Sequence, residues 1–438
     1  MQSPKALLLL LTAIILLPLS CFAIDSHELD VQLQQLINQY AFDNQRAMGF
    51  SAVEMSVLIP NETGPRHYAV GAQRKDQSVP ATTEMMVQYG SITKEYTSTL
   101  LIQLANQHTL SLDDTIGKLL PEQFDTHNPK AWPLHWGDAT VAQLLNMTSG
   151  IPVSVNNPDI AKDIDFYHVY APIDIINMAV NYENLHGCNE EQGCFKSGTQ
   201  YFYSNTNYMI AGLIVEKFHA HESFANVMTE NILKKVNPDS LYYILDPLPN
   251  HLLTKMIHGY YEGPSGANPE LPTGQDISAM NLSWGNSAGA LIGTTDALAE
   301  MTQDLFHDKF NSAALLTSTK YLVRTEPPVS GQPVTDISSQ CVDNACYGLG
   351  TVVVYDVQLG NIWFYEGGTL GFPTFYMWIP KENVTLAISQ NAIGNGDELG
   401  TVLMAANELV LQYLHPGAMR YKNKVRQFKL PGRGRILR

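Results

Sequence analysis

Strand-like residue patterns occur only toward the two ends of this 438-residue chain, and a long, mostly helical stretch lies between them. Asp30 to Tyr40 places Val31, Leu33, Leu36, Ile37 and Tyr40 on one helical side. Ala52 to Ile59 and His67 to Gly71 follow as strand-like runs around a turn-rich Pro60–Pro65 segment. From Ser91 to about Phe218 the periodicity is helical, broken by polar loops such as Pro152 to Asp165. After Gly285 come a helix over Thr295 to Phe306, strand-like runs at Gly348–Tyr355, Ile362–Tyr365, Thr374–Ile379 and Val384–Gln390, and a closing helix over Gly400–Leu414. The pattern predicts an α/β (α+β) fold in which both ends build one antiparallel sheet flanked by helices, and the middle is an inserted helical part. The expected divisions are 24–90 with 285–415 for the sheet part and 91–284 for the helical part.

Charge excludes one class of partner. The segment from Arg420 to Arg438 holds eight Lys/Arg and no acid. Setting those eight and Lys5 aside leaves 17 basic residues against 42 acidic ones. An acidic body of this kind repels nucleic acid. The basic tail, 416–438, suits an anionic membrane surface or a partner, and its default reading is a solvated end. Oligomeric state is not legible.

The first 23 residues read as an export signal. Lys5 precedes the apolar run Ala6–Leu17, Pro18 breaks it, and Cys21-Phe22-Ala23 puts small residues at the cleavage positions. A run this short falls below the roughly 18 residues of a membrane span. Leu19-Ser20-Cys21 resembles a lipoprotein box, with Pro18 a poor fit. A periplasmic or secreted location is expected. Removing the signal leaves four cysteines in two close pairs, Cys188/Cys194 and Cys341/Cys346, each in a Gly/Asn/Asp-rich loop. An even count in an exported chain predicts two local disulfides. Zinc is the rival, but Cys-x-x-Cys spacing is absent and His219-Ala220-His221 does not replace it.

Three segments carry candidate chemistry. In Gly90-Ser91-Ile92-Thr93-Lys94, a helix starting at Ser91 puts Lys94 one turn on, within reach of the serine oxygen. A desolvated lysine can take the proton that a serine must lose to become a nucleophile. In Tyr203-Ser204-Asn205, a phenol could shuttle that proton while an amide holds a substrate carbonyl. The same Tyr-x-Asn spacing recurs at Tyr182 and Tyr421, but only Tyr203 stands between a turn and an apolar-periodic helix. In Tyr365-Glu366-Gly367-Gly368, glycines after a strand allow close backbone approach, and the Gly368 N–H could serve an oxyanion hole. Gly285-Asn286-Ser287-Ala288-Gly289 matches a nucleophile elbow, yet the preceding Ser278–Trp284 is mixed polar rather than a buried strand. Each segment alone also fits a plain structural role.

Taken in order, these segments resemble the serine hydrolases of the class C β-lactamase and penicillin-binding-protein family, over roughly Leu33 to Leu414. Tyr89–Lys94 resembles the nucleophile motif, and Leu110–Asp114 with Leu119-Leu120-Pro121 the segment after it. Val141–Gly150 is similar to another hallmark, with Met147 where His is usual. Ser287-Ala288-Gly289 and Thr294-Thr295-Asp296 also fit. The resemblance implies that Ser91 is the acylated nucleophile, Lys94 and Tyr203 the proton-transfer partners, and Asn205 a substrate-orienting group. The N–H groups of Ser91 and Gly368 would form the oxyanion hole, with Tyr365 and Gly367 lining the substrate site. Which of Lys94 and Tyr203 is the base stays open. No cofactor and no metal is implied, and the partner is a small-molecule or peptide substrate.

One departure bears on substrate. The family usually has Lys or His where Tyr365 stands, and Glu366 follows it. Loss of a cation beside an added carboxylate predicts weak recognition of anionic penicillins and D-alanyl-D-alanine ends. The expectation is an exported esterase or small amide/peptide hydrolase. The alternatives are a D-alanyl-D-alanine carboxypeptidase or β-lactamase, and a non-catalytic binding protein on the same scaffold.

Overall fold

The computed structural model describes residues 24–416 apart from 77–78, 156–159, 161, 238, 264–270 and 393–398. The expected signal and the basic tail beyond Pro416 lie outside the described residues. Helix α1 (Ser26–Met48) outruns the expected Asp30–Tyr40 at both ends. Asp25 caps it by accepting from the Glu28 N–H, and Gly49 ends it with φ of 74°. Strands β1 (Ala52–Leu58) and β2 (Arg66–Gly71) form a hairpin. The short β3 (Val87–Gln88) leads through a tight 3₁₀ turn, Gly90–Ile92, into α2 (Thr93–Asn106).

The middle of the chain is mainly helical, as expected. Its larger pieces are α3 (Val141–Leu145), α4 (Pro172–His186) and α5 (Asn205–Phe218). Among the described residues three short strands break the pattern, of which Tyr260–Tyr261 and Gln275–Asp276 form a two-stranded sheet of their own. β4 (Leu241–Tyr243) pairs with β5 (Leu291–Gly293), which also pairs with β3, so a three-stranded sheet joins residues from both sides of the 284/285 division. Runs this short carry no period that a sequence pattern can register.

After β5, α6 (Thr295–Phe306) begins at a Thr294 cap. Strands β6 (Val323–Arg324), β7 (Cys346–Tyr347), β8 (Val352–Asp356), β9 (Gly360–Gly368), β10 (Pro373–Ile379) and β11 (Val384–Gln390) precede the closing helix α7 (Leu399–Leu414). All the pairings among the larger strands are antiparallel, in the order β2-β1-β11-β10-β9-β8-β7-β6. The terminal hairpin therefore docks on the last strand, Val53 opposite Gln390.

Alternation along the strands sorts the two sheet faces. Gln390, whose side chain accepts from the Tyr40 hydroxyl at 2.8 Å, marks the face covered by α1 and α7. Ser56, bonded to Asp296 at 2.5 Å, marks the face covered by α6 and, farther along, α2. Trp363, Tyr365 and Gly367 share the second face with Tyr376, whose hydroxyl donates to Glu95 on α2. Both faces are thus covered, so β1, β10 and β11 are buried along their whole length. The two expected disulfides are present, Cys188–Cys194 and Cys341–Cys346. Among the described residues no helix is long and apolar enough to cross a membrane.

Candidate active site

Gly90 determines where Ser91 sits. Its φ of +52° lies in the left-handed region, and a Cβ there would stand 2.5 Å from the Gly368 nitrogen. Gly367 is as constrained, since its Cβ would fall 1.7 Å from the Tyr89 carbonyl oxygen. The turn before α2 and the end of β9 therefore pack backbone to backbone, which no side chain at either position would permit. The consequence is that the Ser91 turn lies directly against Gly368 at the end of β9. Residues 367–368 belong to the strand itself and not to a turn after it, as the glycines had suggested.

Lys94 follows one turn later. Its Nζ donates to Ser91 Oγ at 3.0 Å and to the Ala288 carbonyl at 2.8 Å. Lys94 is fully buried, and Ser91 retains 7% of its exposure. Two aromatic faces stand near Lys94 Nζ, the Tyr203 ring at 5.0 Å and the Tyr208 ring at 5.6 Å from their centroids. The residues singled out as Ser91, Lys94 and Tyr203 are therefore together. Asn205, the first residue of α5, is buried just after Tyr203.

Met147 explains how the Tyr203 segment is held. It adopts φ of +63°, its carbonyl accepts the Phe202 N–H at 2.9 Å, and its sulfur lies 3.3 Å from the Ser204 nitrogen. The Asn207 amide reaches the same sulfur at 3.5 Å. A soft thioether acceptor thus serves where a histidine is usual.

Tyr365 is fully buried. Its hydroxyl meets that of Tyr347 at 2.5 Å, and the Tyr347 ring stands edge-on to Tyr203 with centroids 6.4 Å apart. Tyr208 adds a bond to the Leu145 carbonyl at 2.8 Å and lies 3.1 Å from the Ser98 hydroxyl. Burial pushes the phenols of Tyr201, Tyr208, Tyr347 and Tyr365 well above their ordinary range, so all four are neutral at physiological pH. Uncharged phenols thus stand at the position where the sequence already replaces the usual cation with Tyr365.

One reading from sequence changes here. Glu366 faces the opposite side of β9 from Tyr365 and Gly367, toward the layer of α1 and α7, because successive strand residues alternate. The added carboxylate is therefore not beside the site, and the missing cation alone carries the substrate argument. Ser287 is no nucleophile. It is fully buried with its hydroxyl donating to the Tyr208 carbonyl at 2.8 Å. Its own carbonyl accepts from Thr97, and the next carbonyl, Ala288, accepts from Lys94. Ala288, Tyr208 and Tyr347 are site residues that the sequence did not single out by role. Ala288 stood inside a recognised motif, whereas Tyr347 has no signal beyond following Cys346.

A buried serine–lysine pair at the start of a helix, set between an antiparallel sheet and a helical part, defines the active-serine hydrolases. The chain belongs to the Beta-lactamase family, whose model matches residues 46–407, and it is a serine hydrolase. It is 22% identical over 348 residues to Penicillin-binding protein 4* of Bacillus subtilis (strain 168), covering 78% of this chain and 69% of that protein. Among solved structures it is similar to a D-stereospecific amidohydrolase from Streptomyces sp., with TM-score 0.65 and 21% identity over 87% of this chain and 98% of that one. The D-amino acid amidase of Ochrobactrum anthropi SV3 gives TM-score 0.64 at 19% identity, over 88% and 97%. At such identities the two structures speak for the fold.

Proposed function

We infer that the chain hydrolyses esters or small amides through an acyl-enzyme on Ser91. The observation that carries this reading is the 3.0 Å contact between buried Lys94 Nζ and Ser91 Oγ, with an uncharged Tyr365 nearby. Ser91 Oγ attacks the substrate carbonyl while the Lys94–Tyr203 pair accepts its proton. The carbonyl oxygen gathers charge between the amides of Ser91 and Gly368. The same pair returns the proton to the departing alcohol or amine, and water then attacks the acyl-serine, which regenerates Ser91. Asn205 orients the acyl group. The absence of a cation at position 365 favours substrates without a terminal carboxylate over penicillins and D-alanyl-D-alanine ends. The names of the amidohydrolase and amidase relatives support the amide half of this reading. The two disulfides support work in an oxidising, extracytoplasmic compartment.

The test exposes the mature protein to a fluorophosphonate and, separately, to a fluorescent penicillin, followed by intact mass and peptide mapping. Fluorophosphonate on Ser91, lost in Ser91→Ala and kept in Ser287→Ala, with no penicillin adduct, is the expected result. Penicillin on Ser91 would transfer the enzyme to carboxypeptidase or β-lactamase work. No adduct from either probe would leave a binding protein on a hydrolase scaffold.

A further inference from the structure

One disulfide lies against a cluster of metal-ligating groups remote in function from Ser91. Cys194 Sγ stands 3.7 Å from His135 Nε2 and 3.7 Å from Glu183 Oε2. His135 Nε2 is 3.2 Å from Glu183 Oε1. Glu183 is buried, and the Trp136 indole fixes it by donating to Oε2 at 2.9 Å. Ligand atoms of His135, Cys188 and Cys194 all lie within 4.8 Å of one another. The cluster borders a cavity of about 710 Å³ lined also by Asp138, Glu190 and Lys196.

A tetrahedral zinc ion with Zn–S near 2.3 Å and Zn–N or Zn–O near 2.0–2.1 Å keeps its ligand atoms about 3.3–3.8 Å apart. The Cys194 sulfur–imidazole separation, and the sulfur–carboxylate and imidazole–carboxylate separations made by the two different oxygens of Glu183, already fall at or close to that range. Only the sulfurs are in the wrong state, since each is bonded to the other and neither is a thiolate. The spacing argument against zinc considered cysteine and histidine pairs close in sequence. Here His135 and Glu183 come from the 3₁₀ turn Leu134–Asp138 and from α4.

We propose that reducing the Cys188–Cys194 disulfide turns this cluster into a zinc site held by Cys188, Cys194, His135 and Glu183. The disulfide takes two electrons and two protons from a dithiol reductant, which becomes a disulfide, and zinc then displaces the two thiol protons. Reoxidation by a disulfide oxidant, which takes the two electrons and leaves as a dithiol, re-forms the Cys188–Cys194 bond and releases the ion. Cys188 is exposed and His135 nearly half-exposed, so reductant and metal can both reach the site. Among the described residues the Cys341–Cys346 pair gathers no such set, and reduction there leaves two thiols alone.

The test is a cobalt titration of the mature protein carrying Cys341→Ser and Cys346→Ser, so that one pair reports. The oxidised protein is expected to give no thiolate-to-cobalt charge-transfer band. After anaerobic reduction with a phosphine, one equivalent of cobalt gives that band with tetrahedral visible absorption, and zinc bleaches both. His135→Ala, a surface change that leaves the fold intact by circular dichroism, lowers zinc affinity by roughly tenfold or more. Adding Cys188→Ser and Cys194→Ser abolishes the band. A reduced protein without the band, or zinc affinity unmoved in His135→Ala, overturns the proposal.

Discussion

At the scale of single residues the site rests on one lysine nitrogen. Lys94 touches Ser91 Oγ and the Ala288 carbonyl, and its stem is wholly buried. Lys94→Met keeps the length and apolar volume of the stem and removes the nitrogen. Steady-state turnover of a p-nitrophenyl ester is expected to fall at least ~10²-fold, the scale of a positioned acid–base group, with fluorophosphonate labelling slowed in parallel. An unchanged kcat would remove Lys94 from proton transfer. Of these residues, Ser91, Lys94, Tyr203 and Asn205 were legible in sequence because their motifs are short and contiguous. Tyr347 was not, because its place beside Tyr365 depends on pairing β7 and β9 with β8 between them, a long-range event that leaves no local pattern. The side on which Glu366 falls was likewise settled by strand register and not by adjacency to Tyr365.

At the scale of elements, two places set the position and stability of the α2 layer. Gly90 joins its entry turn to β9. Gly90→Ala would combine a left-handed φ with a Cβ 2.5 Å from the Gly368 nitrogen. Strain of this kind costs about 1–2 kcal/mol before any clash is counted. A lower melting temperature and loss of ester turnover are expected together, and a variant with wild-type turnover would show that the close approach is dispensable. The second place is Glu54 on β1. Burial, and next the negative charge of Asp296, hold its carboxyl well above the usual range. The folded state therefore keeps a proton that the unfolded chain releases. Stability contributed by that proton is complete below the ordinary glutamate range and is lost as pH rises toward the raised value, by at most about 1.4 kcal/mol per pH unit. Glu95 on α2 behaves in the same direction, raised by burial. Glu54→Gln mimics the protonated form at every pH. Its urea midpoint is expected to exceed that of the parent at pH 8 and to approach it near pH 5. Parallel pH profiles for the two proteins would contradict the assignment. The long elements were legible because α6 and β11 each repeat their period over enough residues, whereas β3, β4 and β5, at two or three residues, carry no period and form only by meeting one another.

At the scale of the whole molecule, the helical middle is tied to the sheet by the active site itself. α2 is buried over most of its length between the two parts. One side bonds through Thr97 to Ser287 and through Ser98 to Tyr208, the other through Glu95 to Tyr376. The small β3-β5-β4 sheet crosses the same seam, and Thr374 on β10 bonds the Gln88 carbonyl on β3 at 3.0 Å. Separating the parts would expose α2 on one side and strand buried Lys94 and Glu95 without their partners, so neither part gains by unfolding alone. A single cooperative transition follows, although a chain of 438 residues has ample length for two. The tryptophans divide in a way that tests this, with Trp132 and Trp136 in the helical middle and Trp363 and Trp378 on the sheet. One variant carrying Trp132→Phe, Trp136→Phe and Trp284→Phe reports the sheet by fluorescence. A second, carrying Trp363→Phe, Trp378→Phe and Trp284→Phe, reports the middle. Within each oxidised variant the fluorescence and circular-dichroism midpoints in urea are expected to coincide. A sheet signal that outlasts the helical one would mean that the middle unfolds as an independent unit, and that the Ser91 site can open without loss of the sheet beneath it.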